Sequence, residues 1–236
     1  MLLLASADIH SPRYLAEFRA ALKAVASMKP TAFLLAGDLI EKGKAGFCES
    51  VIVSIKKLFD VPIYAVFGNE EYDEVKEILK KNCQVNWLDD EVAFIETGEG
   101  TLAIVGTRGS LDKPTTWQLR HVPGIETIYR ERIRRVEELL REASSSADYV
   151  VLLTHYAPRC KTLKGEGERI WPYLSSSALA RVIAKTKPHA VIHGHVHNSV
   201  VPTDSIEGVP VYNASLPAVK RIVAVKLAPR GLEAFF

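Results

Sequence analysis

The sequence predicts an α/β fold, a four-layer αββα sandwich with two mixed β-sheets, and three observations lead there. Short apolar runs of the kind that form strands buried on both faces alternate with amphipathic stretches of helical period. A second group of strand-like segments is joined by turn residues with no helix between its members. The 236 residues are 47% hydrophobic and 25% charged, an ordinary globular balance with enough apolar material for one large core.

Along the chain, Leu2 to Ala7 is the first buried strand. No basic residue precedes it and its apolar run stops at Asp8, so it reads as neither a signal peptide nor a membrane helix. Tyr14 to Met28 spaces its apolar residues three or four apart with charges between, which predicts a helix packed on a sheet. Ala32 to Ala36 is a strand, Phe47 to Phe59 a helix, Ile63 to Phe67 a strand and Glu71 to Lys81 a helix, on the same two patterns. Val92 to Glu96 and Leu102 to Gly106 flank Gly98 and Gly100 and look antiparallel. The helix Glu126 to Ala143 leads into the strand Tyr149 to Leu153, and the helix Ser175 to Lys185 into the strand Ala190 to Ile192. Val209 to Ala214, Arg221 to Leu227 and Leu232 to Phe236 complete the antiparallel group, with Gly231 as a turn. Strand–helix–strand succession implies right-handed crossovers and a largely parallel core, and two sheets face to face accommodate both kinds of strand. Nothing resembling a repeat or linker divides the chain, so residues 1–236 are expected to be one domain.

Charge selects no partner: 30 basic and 28 acidic residues leave +2, and no basic block indicates nucleic acid, though none of this excludes it. Cys48, Cys83 and Cys160 are few, odd in number and widely spaced, which predicts reduced thiols and a cytoplasmic protein.

The chemistry gathers where the buried strands end, since open α/β sheets bind ligands outside the strand carboxyl ends. Five ends carry metal-ligand chemistry: Asp8-Ile9-His10, Gly37-Asp38, Gly68-Asn69, His155 and His193-Gly194-His195-Val196-His197. In extended backbone, residues two apart project to one side, so Asp8 with His10 and His195 with His197 can each face one crevice. Gly37, Gly68 and Gly194 permit tight turns and close backbone approach. Each fragment alone is an ordinary turn or cap; five in order at strand ends are a metal site. Mixed carboxylate, amide and imidazole donors suit Mn, Fe, Zn, Ni or Co rather than calcium or a thiolate-bound metal.

This set, Asp8-Xaa-His10, Gly37-Asp38, Gly68-Asn69-Glu70-Glu71, His155 and Gly194-His195-Xaa-His197, resembles the calcineurin-like metallophosphoesterase superfamily from residue 8 to residue 197. The resemblance implies the αββα fold and two divalent transition-metal ions, Mn2+ first. Asp8, His10, Asp38 and His197 would hold one ion, and Asp38, Asn69, His155 and His195 the other, with Asp38 bridging. It implies hydrolysis of phosphate esters, of a small molecule or a nucleotide, by in-line attack of a hydroxide bridging the ions. Catalysis would rest on Asp38, Asn69, Glu70 and His195.

Glu70 stands where the family pattern commonly has a histidine that protonates the leaving oxygen. A glutamate is a poor donor at neutral pH unless its pKa is raised, and its charge repels a dianionic monoester more than a monoanionic diester. The expectation is a bias toward phosphodiesters; the plainer reading of Glu70 is that it opens the helix at Glu71. The loop-like segments 107–124, with Arg108, Trp117, Arg120 and His121, and 156–173, with Arg159, Lys161, Lys164 and Trp171, leave strand ends near the metals. Arg108 is the candidate to fork onto phosphate oxygens. His189 and His193 are expected in or behind the core, and Trp117 and Trp171 as packing or a wall for an aromatic substrate. The alternatives are a phosphatase or nuclease of the same superfamily, or a metal-binding scaffold without catalysis.

Overall fold

A computed structural model describes residues 1–229; the strand expected at Leu232 to Phe236 lies outside them. In chain order the elements are β1 (Leu2–Ser6), α1 (Leu15–Ala24), β2 (Ala32–Leu35), α2 (Cys48–Lys56), β3 (Ile63–Ala65), α3 (Lys76–Asn82), β4 (Asn86–Trp87), β5 (Glu91–Thr97) and β6 (Gly100–Thr107). There follow α4 (Thr116–His121), α5 (Ile125–Ser146), β7 (Tyr149–Thr154), β8 (Ala157–Pro158), β9 (Ser175–Ser176), α6 (Ser177–Thr186) and β10 (Ala190–His193). The last are β11 (Thr203–Ile206), β12 (Val209–Asn213), α7 (Leu216–Val219) and β13 (Val223–Lys226).

The two large sheets run β13-β1-β2-β3-β4 and β11-β12-β10-β7-β6-β5, and β8 pairs with β9 separately. Alternation along the strands sorts side chains into layers. Leu3 and Ala5 of β1, Leu34 of β2, Leu102 and Ile104 of β6, Val151 and Leu153 of β7 and Ile192 of β10 share the core between the sheets. Leu4, Phe33 and Leu35 point the other way onto Phe18, Leu22, Val51, Ile55 and Leu79 of α1, α2 and α3. Ala103, Val105, Val150, Leu152 and Val191 meet Val136, Leu139, Leu140, Leu179 and Ile183 of α5 and α6. These are the four layers of an αββα sandwich. Truncating any of the fully buried leucines to alanine costs about 2–5 kcal/mol.

Three expectations are corrected. The later strands are only partly antiparallel: β5–β6, β11–β12 and β1–β13 are, but β6 runs parallel to β7 and β12 parallel to β10. The reason for β12 is β11, missed in the sequence, which reverses the chain before β12 so that it returns in the direction of β10. Cys48 and Cys83 are not free thiols but form a disulfide between α2 and the end of α3, with Cα atoms 5.9 Å apart; Cys160 remains free. The segment 107–124 is not all loop: α4 begins at a capping box in which Thr115 and Gln118 satisfy each other's backbone amides. No helix among the described residues is long and apolar enough to cross a membrane.

Candidate metal centre

Parallel β1, β2 and β3 in one sheet and β7 and β10 in the other end together, and the loops beyond them are laced backbone to backbone. The amides of Asp8, His10 and Ser11 donate to the carbonyls of Gly37, Asp38 and Leu39 at 3.0, 2.9 and 2.8 Å. The Gly194 amide donates to His155 O at 3.2 Å, and Ala7 exchanges hydrogen bonds with Ala214 and Leu216 across the two sheets. Asp8, His10, Asp38 and His195 all have positive φ, 55, 41, 51 and 69°, a left-handed conformation that side chains rarely adopt and that collects at functional sites. Gly68 is required by close approach: a Cβ there would fall on the Asp38 carboxylate and 2.5 Å from its amide nitrogen. A Cβ on Gly37 would lie 2.6 Å from His155 Nδ1.

Two groups of ligand atoms result, Asp8 with His10 and His197, and Asp38 with His155 and His195, each within 4.8 Å. Asp38 Oδ2 stands between them, 3.8 Å from His10 Nε2 and 3.6 Å from His155 Nε2. Asn69 joins the second group through Oδ1, 3.0 Å from His155 Nε2. All seven sequence-derived ligand positions therefore meet in one place. The crevice lined by His10, Asp38, Asn69, His195 and His197, with Asp8 and His155 buried beneath, holds about 340 Å³ and is lined also by Arg13, Glu41, Lys42, Glu70, Glu166 and Asn198.

The donor chemistry fits cations. Asp8 Oδ1, His10 Nε2 and His197 Nε2 are buried without a hydrogen-bond partner; His197 Nε2 lies 3.1 Å from Asp8 Oδ1 but out of line for one. His155 Nδ1 donates to Ala36 O at 2.9 Å, which leaves Nε2 with a lone pair facing the Asn69 oxygen, a repulsive contact that an ion between them would relieve. Burial pushes His155 down to about 4 and His195 well below its usual value, so these imidazoles are neutral and free to ligate at neutral pH. His10 is lowered by burial as well. Burial pushes the Asp38 carboxyl well up, and the charges of Glu71 and Asp8 add to this; a cation reverses that balance. Burial opposes the Asp8 carboxylate too, but His197 beside it, whose own pKa Asp8 raises in return, outweighs burial and holds the Asp8 pKa below the usual range.

Glu71 is the part that sequence reasoning missed. It is fully buried, and its carboxylate accepts from the amides of Gly68 (2.7 Å), Asp38 (2.8 Å), Leu39 (2.7 Å) and Ile40 (3.1 Å). One side chain thus clamps the two loops that present Asp38 and Asn69. The segment it was expected to open as a helix is instead irregular, with a 3-10 turn at Asp73–Val75 before α3. Glu70 accepts from the Lys42 amide at 2.5 Å, while its own amide donates to Asp38 Oδ1 at 2.8 Å. Arg108 does not line the crevice; its guanidinium donates to Glu71 O at 2.9 Å and lies 3.2 Å from Asp73, so it braces Glu71 from behind.

His193 is buried behind the ligands and accepts from Thr162 Oγ1 at 2.9 Å, and His189 Nδ1 accepts from the Val150 amide, as core histidines. Arg159 pairs with Asp112 and covers Trp171, and the Lys161 amide is held by Asp204. Tyr156, not anticipated, lays its ring against His195 and His155, with centroids 4.8 and 5.3 Å apart.

The family model for calcineurin-like phosphoesterases matches residues 1–199, and the chain belongs to that family of hydrolases. Solved structures agree on the fold. The phosphopantetheinyl hydrolase PptH of Mycobacterium tuberculosis is 16% identical with a TM-score of 0.67, over 97% of this chain and 96% of that one. TT1561 of Thermus thermophilus is 14% identical with a TM-score of 0.60, over 96% and 99%. A dimetal phosphatase from Danio rerio is 10% identical with a TM-score of 0.57, over 90% and 86%. A comparison with curated proteins finds no match.

Proposed function

We propose that this chain, as one domain, hydrolyses phosphate esters with two divalent transition-metal ions, manganese first, and favours phosphodiesters over monoesters. The observation that carries the reading is the Asp38 carboxylate, whose Oδ2 faces an imidazole of each ligand group at 3.8 and 3.6 Å. Asp8, His10, Asp38 and His197 would hold one ion, and Asp38, Asn69, His155 and His195 the other. Two cations so held supply Lewis acidity that draws charge from a phosphoryl group and acidifies water.

The chain's own groups do the rest. The Asp38 carboxylate offsets the repulsion between neighbouring cations, and the Glu71 clamp keeps it in place. Lys42 brings positive charge to the crevice wall, where a phosphate oxygen can meet it, while Arg13 on the wall is paired with Glu41 at 2.6 Å. Glu70 and Glu166 in the crevice lining disfavour a second negative charge on the ester, which supports the diester preference. Glu70 is occupied as an acceptor for the Lys42 amide, so its proposed part is to hold the loop carrying Glu41 and Lys42 rather than to donate a proton.

The test is metal analysis of the purified protein followed by hydrolysis of bis-p-nitrophenyl phosphate and p-nitrophenyl phosphate with added manganese. Two equivalents of metal and a higher kcat/KM for the diester are expected. Failure to take up metal overturns the whole reading, and a clear monoester preference overturns its diester part.

A further inference from the structure

Beside the crevice stands a pair of exposed aromatic rings that metal chemistry does not use. Trp117 of α4 is 57% exposed and Tyr72, three residues beyond Asn69, is 37% exposed. Their planes lie within 24° of parallel with centroids 6.4 Å apart. Carbon atoms in contact sit about 3.5–4.0 Å apart, so a flat group held between two rings needs about 7 Å. The planes are at most 6.4 Å apart, so the rings must part by at least about 0.6 Å to admit one.

Both rings are also packed against neighbours of their own. His121 stacks on Trp117 at 4.7 Å and 21°, its Nδ1 2.8 Å from Trp117 O. Tyr72 packs on Gly43, where a Cβ would come within 2.9 Å of the ring, and the Gly43 amide is held by Glu70 O at 2.9 Å. The slot is also tied to the metal ligands. Gln118, next to Trp117, donates to the Tyr156 hydroxyl at 3.0 Å, and the Tyr156 ring lies on His155 and His195.

We propose that Tyr72 and Trp117 form a stacking slot for the nucleobase of a nucleotide ester whose phosphate occupies the crevice, an inference that rests on the phosphoesterase reading. Neither ring lines the crevice itself, so a ring bonded directly to the phosphate would fall short of them, whereas a base held off by its sugar reaches outward. The neighbouring lip, Lys42 beside Gly43, is also a crevice wall, so slot and crevice are continuous. Stacking of a base on aromatic side chains is sequence-tolerant, so the slot selects for a base rather than for one particular base.

The test is calorimetric titration of the full chain with manganese, using the phosphonate analogues of AMP and ribose 5-phosphate, in which a methylene group replaces the ester oxygen and nothing is hydrolysed. The AMP analogue is expected to bind about tenfold tighter, within the range of base–aromatic stacking. Trp117→Ala should remove that difference without weakening the ribose analogue, and Trp117→Phe should keep most of it. Equal affinities in the unaltered protein, or a difference that survives Trp117→Ala, overturn the proposal. Phenylphosphonate binding as tightly as the AMP analogue overturns the assignment to a nucleobase. If the tenfold difference is present but no phosphate ester is hydrolysed, the catalytic reading fails and the slot stands.

Discussion

Glu71→Gln is the sharpest probe of how the centre is held. The carboxylate accepts four backbone amides, two on each oxygen: Leu39 and Ile40 on Oε1, Gly68 and Asp38 on Oε2. A carboxamide keeps one oxygen and turns its NH2 toward the other two donors, so two bonds to a charged acceptor are lost at about 1.5–3 kcal/mol each. Relief from burying a charge returns part of that sum, since burial is the leading influence that pushes the Glu71 carboxyl up. A net loss of about 3 kcal/mol remains, and at roughly 2–4 °C per kcal/mol for a chain of this size the melting temperature should fall by about 6–12 °C. Circular dichroism melts in EDTA measure this without interference from metal. Glu70→Gln, which touches a single exposed amide, is the matched control and should shift the melt by no more than about 2 °C, the effect of an ordinary surface change. If Glu71→Gln melts as the unaltered protein does, the clamp is not a structural support and the argument fails.

Saturating manganese, at a hundred times the dissociation constant of each site, should stabilise the protein by about 2.7 kcal/mol per bound ion, and Asp38→Asn should lose most of the resulting rise in Tm; an undiminished rise would place the ions elsewhere. Gly68→Ala forces a Cβ onto the Asp38 carboxylate and should cost about 1–3 kcal/mol together with metal uptake, read by melting and metal analysis. Reducing the Cys48–Cys83 bridge, which spans 35 residues, should cost about 4 kcal/mol by loop entropy. A melt unchanged by dithiothreitol would show that the two thiols are not joined in solution.

What the sequence makes legible here depends on range. Buried strands announce themselves as apolar runs because both of their faces are covered, and the candidate ligands announce themselves because they cluster just beyond such runs. Asp8, Asp38, Asn69, His155 and His195 could be found by position alone. Glu71 could not: three of its four amide partners are 31 to 33 residues away, and locally it is one more acidic residue before a helix. Arg108 shows the converse, a residue of the right chemistry at the right strand end whose guanidinium is taken by Glu71 O and Asp73. The disulfide escaped because three cysteines spread over the chain carry no pairing pattern, and only the packing of α2 against α3 brings two of them together. The direction of β12 escaped because it follows from β11, whose Thr203 to Ile206 alternates too weakly to read as a strand.

The lacing of the strand-end loops has a consequence for how such a centre can change over time. The stitches from Asp8, His10 and Ser11 to residues 37–39, and from Gly194 to His155, involve only main-chain groups. Exchanging an imidazole or a carboxylate for an inert side chain would disarm the crevice and leave these main-chain stitches in place, at the cost of single side-chain ties such as those from the amides of His195 and Glu70 to Asp8 and Asp38. An outline built this way outlasts its chemistry, so its descendants are free to keep the shell for adhesion to other molecules after the metals are gone.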